Sequence, residues 1–263
     1  MENFLIASLP YAFSGALVGL LVGLTGVGGG SLMTPLLTLL FGVPPAVAVG
    51  TDLAFAATTK GLGTLAHRLH GHVRWDIVGY LCLGSLTTAL LSIVFLKQIG
   101  PLDDGWHHII KTSIGVSVLL TALSLVFRKK MVAWVDAHPG AQLHGRNLRI
   151  ATILVGAVIG VLVTISSIGA GAIGATFILF LYPALKPAEV AGTDIAYAVP
   201  LTALAGLGHW WLGNVHFDLL FGLLLGSLPA IWFGAKLAKT LPEKYTRVAL
   251  ATTLTLVGIK LVS

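Results

Sequence analysis

Residues 44–86 read PPAVAVGTDLAFAATTKGLGTLAHRLHGHVRWDIVGYLCLGSL, and residues 186–228 read KPAEVAGTDIAYAVPLTALAGLGHWWLGNVHFDLLFGLLLGSL. The two stretches align without a gap, and 142 residues separate each aligned pair, including Asp52 and Asp194. Both stretches are strongly apolar between their few shared polar positions. An internal repeat in an apolar chain is typical of transporters whose site lies between two related halves.

The repeat extends upstream through a second pair of glycine-rich segments. GALVGLLVGLTGVGGGS begins at Gly15 and GAVIGVLVTISSIGAGA begins at Gly156, and a one-residue shift separates this alignment from the first. The duplication therefore covers most of the chain. We expect two structural repeats, at 1–127 and 150–263, joined by a polar linker at 128–149.

The composition predicts an all-α polytopic membrane protein. The chain has 263 residues, of which 56% are hydrophobic and 10% charged, with a mean hydropathy of +0.93. A soluble protein of this size carries about 25% charged residues, so the surroundings of this chain must be largely lipid. The net charge of +6 comes from short basic loops without interleaved aromatic residues, which argues against nucleic-acid binding. Cys82 is the only cysteine, which excludes an intrachain disulfide.

Eight apolar segments can enter the membrane, since a span needs about 20 apolar residues. Two of them, 4–42 and 150–183, are too long for one span, and glycines interrupt both near the middle. We read each as a helix, a glycine break and a second, shorter helix. In each repeat this broken pair precedes three transmembrane helices, which are predicted at 46–66, 76–97, 107–127, 188–211, 217–237 and 245–262.

The basic loops predict the orientation of the spans. The loops 128–149 and 236–247 and the loop with Arg68 and Arg74 are rich in Lys and Arg, which places them in the cytoplasm. The repeated loops 67–75 and 209–217 then lie on opposite faces of the membrane. The two repeats are therefore expected to have inverted topology, with both chain termini outside.

The glycine breaks are the first candidate site. A new helix is expected near Ser31 and near Ala172, and the free N–H groups of its first turn would point at the break. Such a helix start binds an anion without a basic side chain. The alternative is that these glycines only permit close helix packing. The candidate substrate-binding residues at the breaks are Thr25, Gly28, Gly29, Gly30, Ser31, Ser166, Ser167, Gly169 and Gly171.

Asp52 and Asp194 are the second candidate. Acidic residues within a membrane are costly and mark functional sites by default. Each aspartate has three readings: it takes up a proton for coupling, it caps a restarted helix, or it contacts the substrate. Lys60 follows Asp52 by about two helical turns and has Thr202 as its counterpart. It either neutralises Asp52 or attracts an anion.

His67 and His209 also occur in both repeats, which suggests gating or capping roles. His67 belongs to a basic cluster that ends at Arg74, and its histidine spacing raises the question of a metal site. The second repeat keeps no matching set of Cys, His and acidic residues. We therefore expect a surface cluster, and no metal or cofactor.

The ordered motifs carry a family resemblance. GLTGVGGGSLMTPLL, PPAVAVGTDLA, HRLHGHVRWD and GYLCLGSL resemble the sulfite exporter TauE/SafE family, also called the TSUP permeases. The resemblance implies a multi-pass permease of sulfur-containing or other small organic anions in the bacterial inner membrane. It also adds Thr51 and Thr193 to the substrate-binding residues. Two departures are that aspartate replaces the usual serine after Gly-Thr in both repeats, and that the second repeat lacks a proline aligned with Pro35.

The sequence thus predicts a secondary transporter rather than an enzyme. A small anion, such as sulfite, an organosulfonate or a carboxylate, would bind between the breaks and cross the bilayer by alternating access, with proton coupling as an option. The alternatives are an anion channel, an intramembrane aspartyl enzyme whose two carboxyls share a proton, and a binding or assembly protein. The oligomeric state is not predicted.

Overall fold

The computed structural model describes residues 2–25, 30–69, 71–100, 104–138, 142–238 and 243–262, and its regular elements in these ranges are helices. The predicted all-α fold is therefore confirmed. The helices of the described ranges are α1 (Glu2–Thr25), α2 (Gly30–Leu40), α3 (Pro45–Leu69), α4 (Trp75–Ile99), α5 (Asp104–Ala137), α6 (Gly145–Ser166), α7 (Ala172–Leu181), α8 (Pro187–Trp211), α9 (Phe217–Ala238) and α10 (Glu243–Val262).

Both long glycine-interrupted segments form a long helix followed by a short one. In the first repeat α1 precedes α2, which has 11 residues, and in the second α6 precedes α7, which has 10 residues. At 1.5 Å per residue, α2 and α7 are each about 15 Å long, roughly half the hydrocarbon thickness of a bilayer. The linker region 128–149 consists of the last turns of α5, a short connection and the first turn of α6.

The helices have the length and surface of membrane spans. Five described segments are long and apolar enough to cross a bilayer: Trp75–Ile99, Gly105–Arg128, Gly145–Ser166, Pro187–Trp211 and Phe217–Gly234. On α4, the side chains of Leu83, Leu90, Leu91 and Phe95 are all more than half exposed. Such a row of large apolar side chains suits contact with lipid chains and not with water. The chain is a polytopic helical membrane protein.

Two equivalent helix pairs, each with one helix from either repeat, pack in the same way. In one pair α1 lies along α9, and in the other α6 lies along α4. Gly15 of α1 touches the backbone of Leu223, and its counterpart Gly156 of α6 touches the backbone of Leu81. A Cβ at either glycine would overlap a carbonyl oxygen, which explains why small residues stand at both positions.

The equivalent helices α3 and α8 pack against each other in the centre of the bundle. Gly50, early in α3, faces His209 near the end of α8, whereas Ala54 faces Gly206. Because the residue number rises along one helix as it falls along the other, α3 and α8 run antiparallel. The equivalent helices α5 and α10 are antiparallel too, since Gly115 touches Leu261 and Leu119 touches Gly258.

Two matched hydrogen bonds tie the repeats together. The backbone N–H of His216 donates to Thr51 Oγ1 at 3.1 Å, and the N–H of Arg74 donates to Thr193 Oγ1, also at 3.1 Å. Both threonines are fully buried. The donors and the acceptors are each 142 residues apart, so one contact is built twice.

We predict that Thr51→Val and Thr193→Val have similar effects on stability. Either change leaves a backbone N–H without its acceptor, which costs about 1–3 kcal/mol. The melting temperatures of the purified variants in detergent should fall by similar amounts. Thr87→Val is a matched control, because the exposed Thr87 hydroxyl bonds only within its own helix, to Leu83 O. A large fall for one threonine and none for the other would contradict the equivalence of the two contacts.

Candidate functional site

The second glycine break turns the chain through a short non-helical segment between α6 and α7. Ser166 ends α6, and its hydroxyl accepts a hydrogen bond from the N–H of Ile168 at 3.2 Å. Ser167 has a left-handed backbone conformation with φ at 59°, and Gly171, at the start of α7, has φ at 144°. Only glycine readily adopts the second of these conformations. The break is buried, so protein groups must satisfy its polar backbone.

The first glycine break lies largely outside the described residues. The predicted substrate-binding residues Gly28 and Gly29 fall in this part, and the side chain of Thr25 is also not described. The short helix that follows begins at Gly30, one residue before Ser31, near which a helix start was predicted, and Ser31 in its first turn is buried. The site is therefore built here mainly from the second break and from the helices that surround it.

Asp52 lies about two turns into α3 and is fully buried. Its Oδ2 accepts a hydrogen bond of 2.5 Å from Thr34 Oγ1, which comes from α2. Ser167 of the second break lies beside the same carboxyl group. The other carboxylate oxygen, Oδ1, has no hydrogen-bond partner among the described residues. Asp52 therefore connects the short helix of the first repeat with the break of the second.

Asp194 occupies the matching place on α8 and is 5% exposed. Its neighbours are the hydroxyl of Tyr197 and the backbone N–H of Gly171 at the start of α7. Gly174, in the first turn of α7, allows this approach, because a Cβ there would overlap both Asp194 Oδ1 and Tyr197 Oη. The carboxyl group thus lies at a helix start, where partial positive charge favours an anion.

Lys60 brings a positive charge to the same region. Its Nζ donates a hydrogen bond of 2.6 Å to the carbonyl oxygen of Ala170, in the middle of the second break. It also interacts electrostatically with Asp194 and with Asp52. The one salt bridge within 4 Å among the described residues is the exposed pair Arg74–Asp76, so Lys60 contacts neither buried carboxylate at that distance. The two repeats thus meet at a cluster of two acids, one ammonium group and the break.

His209 lies between the end of α6 and a cavity at one end of the bundle. It is 2% exposed, and its Nε2 lies 2.9 Å from the carbonyl oxygen of Thr164, two residues before the end of α6. Its Nδ1 lies 3.5 Å from the side-chain amide of Asn214. Both residues line a cavity of about 280 Å³, together with His107 and Gly100. The counterpart of His209, His67, has a side chain that the structure does not describe.

The structure does not bring every predicted site residue to the breaks. Thr51 and Thr193 use their hydroxyl oxygens to bind the loops before α9 and α4. Ser166, Ser167, Gly169 and Gly171 form the second break itself. Asp52, Lys60 and Asp194, predicted as coupling residues, lie around that break.

Two residues that lie at the cluster, Tyr197 and Gly174, were not among the site residues predicted from the sequence. Tyr197 follows Asp194 by three residues and so shares its face of α8, a spacing that could have revealed it. The comparison of the two repeats does not single out this tyrosine, because phenylalanine (Phe55) stands at the equivalent position of the first repeat. Gly174 has no glycine partner in the first repeat, where Met33 aligns with it. Its importance follows only from the approach of α8 to α7.

Comparison with known proteins identifies the family. The family model for the sulfite exporter TauE/SafE matches residues 11–261, which is nearly the whole chain. The chain belongs to the TauE/SafE family. The resemblance inferred from the motifs is therefore confirmed.

Several relatives in this TauE/SafE group are similar to the chain along its length. The probable membrane transporter protein YjnA of Bacillus subtilis is 34% identical over 255 residues, covering 97% of this chain and 100% of the relative. YdhB of the same organism is 28% identical, covering 93% of this chain and 96% of its own, and is also named a probable membrane transporter protein. MJ0441 of Methanocaldococcus jannaschii, with the same description, is 25% identical, covering 93% and 91%. No solved structure matches the chain significantly. The chain is thus a multi-pass membrane transporter, as predicted.

Proposed function

We propose that this protein is a secondary transporter that carries a small anion across the membrane by alternating access. The supporting observation is that the two repeats meet through paired, matching contacts around one buried cluster of charged and hydroxyl groups. Transporters with internal repeats bind their substrate at the repeat interface, near discontinuous helices. The class of substrate follows from the groups in the cluster.

The substrate would bind at the second break, together with the corresponding part of the first repeat. The first turn of α7 offers backbone N–H groups, and the described bonds to the carbonyls of Gly169 and Gly171 are made by Gly174 and Ala175. The N–H of Gly171 faces Asp194, so the N–H groups of Ala172 and Ile173 are the ones available to an acceptor. A small anion with several oxygens, such as sulfite, an organosulfonate or a carboxylate, suits such a set of donors.

Asp52 and Asp194 are the proposed proton carriers. Both carboxyl groups are buried, and each has one oxygen without a hydrogen-bond partner among the described residues. An anion that enters beside two carboxylates is repelled unless a proton enters with it. Proton uptake by either aspartate would compensate the charge of the substrate, which couples the two movements.

Alternating access requires that the repeats exchange conformations. The antiparallel packing of the equivalent helices α3 and α8 supports the inverted topology predicted from the basic loops, with both termini outside the inner membrane. The cavity beside His209 lies at the ends of α4 and α8, which the same topology places outside. We propose it as the outer approach to the site, with His209 as its gating residue and with His67, on the opposite face, as the gating residue of the inner approach.

The proposal is tested by transport into proteoliposomes that contain the purified chain. Radiolabelled sulfite, methanesulfonate and acetate serve as probes, with an imposed pH gradient and protein-free liposomes as the control. We expect saturable uptake of at least one probe, stimulated by unlabelled anion on the opposite side, since a channel shows no such counter-transport. If none of these anions or related sulfonates and carboxylates crosses, the proposed substrate class is wrong.

A further inference from the structure

Lys60 is an ammonium group whose described hydrogen bond goes to a neutral acceptor. The residue is 7% exposed, and its Nζ bonds to the carbonyl of Ala170 at 2.6 Å. A buried ammonium normally pairs with a carboxylate in direct contact, because its desolvation is costly. Neither Asp52 nor Asp194 makes a salt bridge to it within 4 Å. The ammonium group therefore has room in its coordination for an anionic partner.

Two hydroxyl groups with no described hydrogen bond flank the same break. Ser167 Oγ, beside Asp52, and Tyr197 Oη, beside Asp194, lack a partner among the described residues, and both residues are at least 95% buried. Buried hydroxyl groups in proteins are nearly always paired. Each hydroxyl lies beside a carboxyl group without a hydrogen bond of good geometry to it, so both can donate to an anion held by the ammonium group of Lys60.

Neither donor is repeated: Lys60 belongs to the first repeat and Tyr197 to the second, and each lacks a matching donor in the other repeat. Thr202 stands at the position equivalent to Lys60, and Phe55 stands at the position equivalent to Tyr197. The basic and phenolic donors thus converge on one break, that of the second repeat. The groups facing Lys60 that carry negative charge are Asp194 and Asp52. Lys60 therefore places a positive charge between two acids that would otherwise repel an anion.

We propose that Lys60 binds the negatively charged group of the substrate directly, with the hydroxyls of Ser167 and Tyr197 as flanking donors. The site then selects small anions that present at least two acceptor oxygens, such as a carboxylate or a sulfur oxyanion. This inference rests on the proposed function and deepens it. It makes Lys60 a substrate ligand rather than a permanent counter-ion of Asp52, and it adds Tyr197 to the site.

The experiment compares Lys60→Thr, Lys60→Arg and Tyr197→Phe with the wild type in proteoliposomes, using the probe anion that the wild type transports. Each of the Thr and Phe substitutions introduces the residue that stands at the equivalent position of the other repeat, Thr202 for Lys60 and Phe55 for Tyr197. Lys97→Gln is the matched control, because Lys97 is an exposed lysine in the last turn of α4. KM and the maximal rate are measured separately, and binding of the same anion is followed by the thermal stability of the purified protein.

We expect Lys60→Thr to raise KM for the anion about tenfold or more, since a hydrogen bond to a charged group is worth about 1.5–3 kcal/mol. Lys60→Arg should keep KM closer to the wild-type value, because it keeps the charge. Tyr197→Phe should raise KM by less than Lys60→Thr does, because it removes one hydrogen bond to the anion but no positive charge. Lys97→Gln should leave KM unchanged.

An unchanged KM in both Lys60→Thr and Tyr197→Phe, with the wild type active, would overturn the assignment of Lys60 and leave the transport of anions standing. If Lys60→Thr does not fold, Tyr197→Phe decides, because phenylalanine fits the equivalent buried position and only the hydroxyl is lost. A wild type that transports none of the probes would instead overturn the proposed function itself. The two failures are therefore distinguishable.

Discussion

Replacement of Asp52 or Asp194 by asparagine is expected to abolish transport driven by a pH gradient. Asparagine has nearly the same size as aspartate but cannot exchange a proton, so the coupling is lost while the packing is kept. The pH-driven flux should fall about tenfold or more for each variant, because proton uptake no longer compensates the charge of the entering anion. The measurement is uptake at a fixed anion concentration with and without the gradient.

The control for this prediction is Asp76→Asn. Asp76 lies in the first turn of α4, its side chain is 59% exposed, and it pairs at the surface with Arg74 at 3.4 Å. Its loss should change the flux little, because an exposed ion pair contributes about 1 kcal/mol at most. If Asp52→Asn and Asp194→Asn respond to the pH gradient as the wild type does, neither aspartate carries the coupling proton.

Gly174→Ala is the second substitution with a large expected effect. A methyl group at this position would overlap Tyr197 Oη and Asp194 Oδ1, so these two buried side chains would have to shift away from α7. Overpacking of this kind costs about 1–3 kcal/mol of stability. Because it also displaces two groups of the site, transport should fall by about tenfold or more, the equivalent of about 1.4 kcal/mol in the barrier.

Gly79→Ala is the matched control, since Gly79 lies in α4 and has no neighbouring atom within 4 Å of a Cβ placed there. Alanine favours the helix by about 0.5–1 kcal/mol relative to glycine, so this variant should be as stable as the wild type or more stable. The melting temperature and the flux of both variants are measured together. Equal behaviour of Gly174→Ala and Gly79→Ala would show that the contact between α7 and α8 does not position the site.

The sequence predicted the helices well because two strong signals coincide in this chain. Long apolar stretches identify the spans, and the glycine clusters mark the interruptions, so that α7 begins at Ala172 as expected. The repeat was equally informative, since residues 142 positions apart, such as Thr51 and Thr193, have matching partners in the structure. Both signals are local or internal to the sequence and need no knowledge of packing.

The site was predicted only in part, because its remaining contacts join distant segments. Lys60 and the carbonyl of Ala170 are 110 residues apart. Every residue has a backbone carbonyl, so the sequence does not indicate which of them accepts the hydrogen bond of Lys60. The hydrogen bond of Thr34 to Asp52 joins α2 to α3 across 18 residues and depends on the angle at which the short helix returns. The positions that differ between the repeats, Lys60 and Tyr197, also give no repeat signal, although they carry the proposed substrate contacts.

The inverted arrangement of the two repeats is the claim on which the rest depends, and labelling from each side of the membrane tests it most directly. Asp76 and Asp218 occupy equivalent, exposed positions in the first turns of α4 and α9. Each is replaced by cysteine in a Cys82→Ala background, and a membrane-impermeant maleimide is applied to intact cells and to inside-out vesicles. We expect the cysteine at position 218 to react in cells and the cysteine at position 76 to react only in vesicles. Reaction of both from the same side would contradict inverted halves, and with them the shared central site.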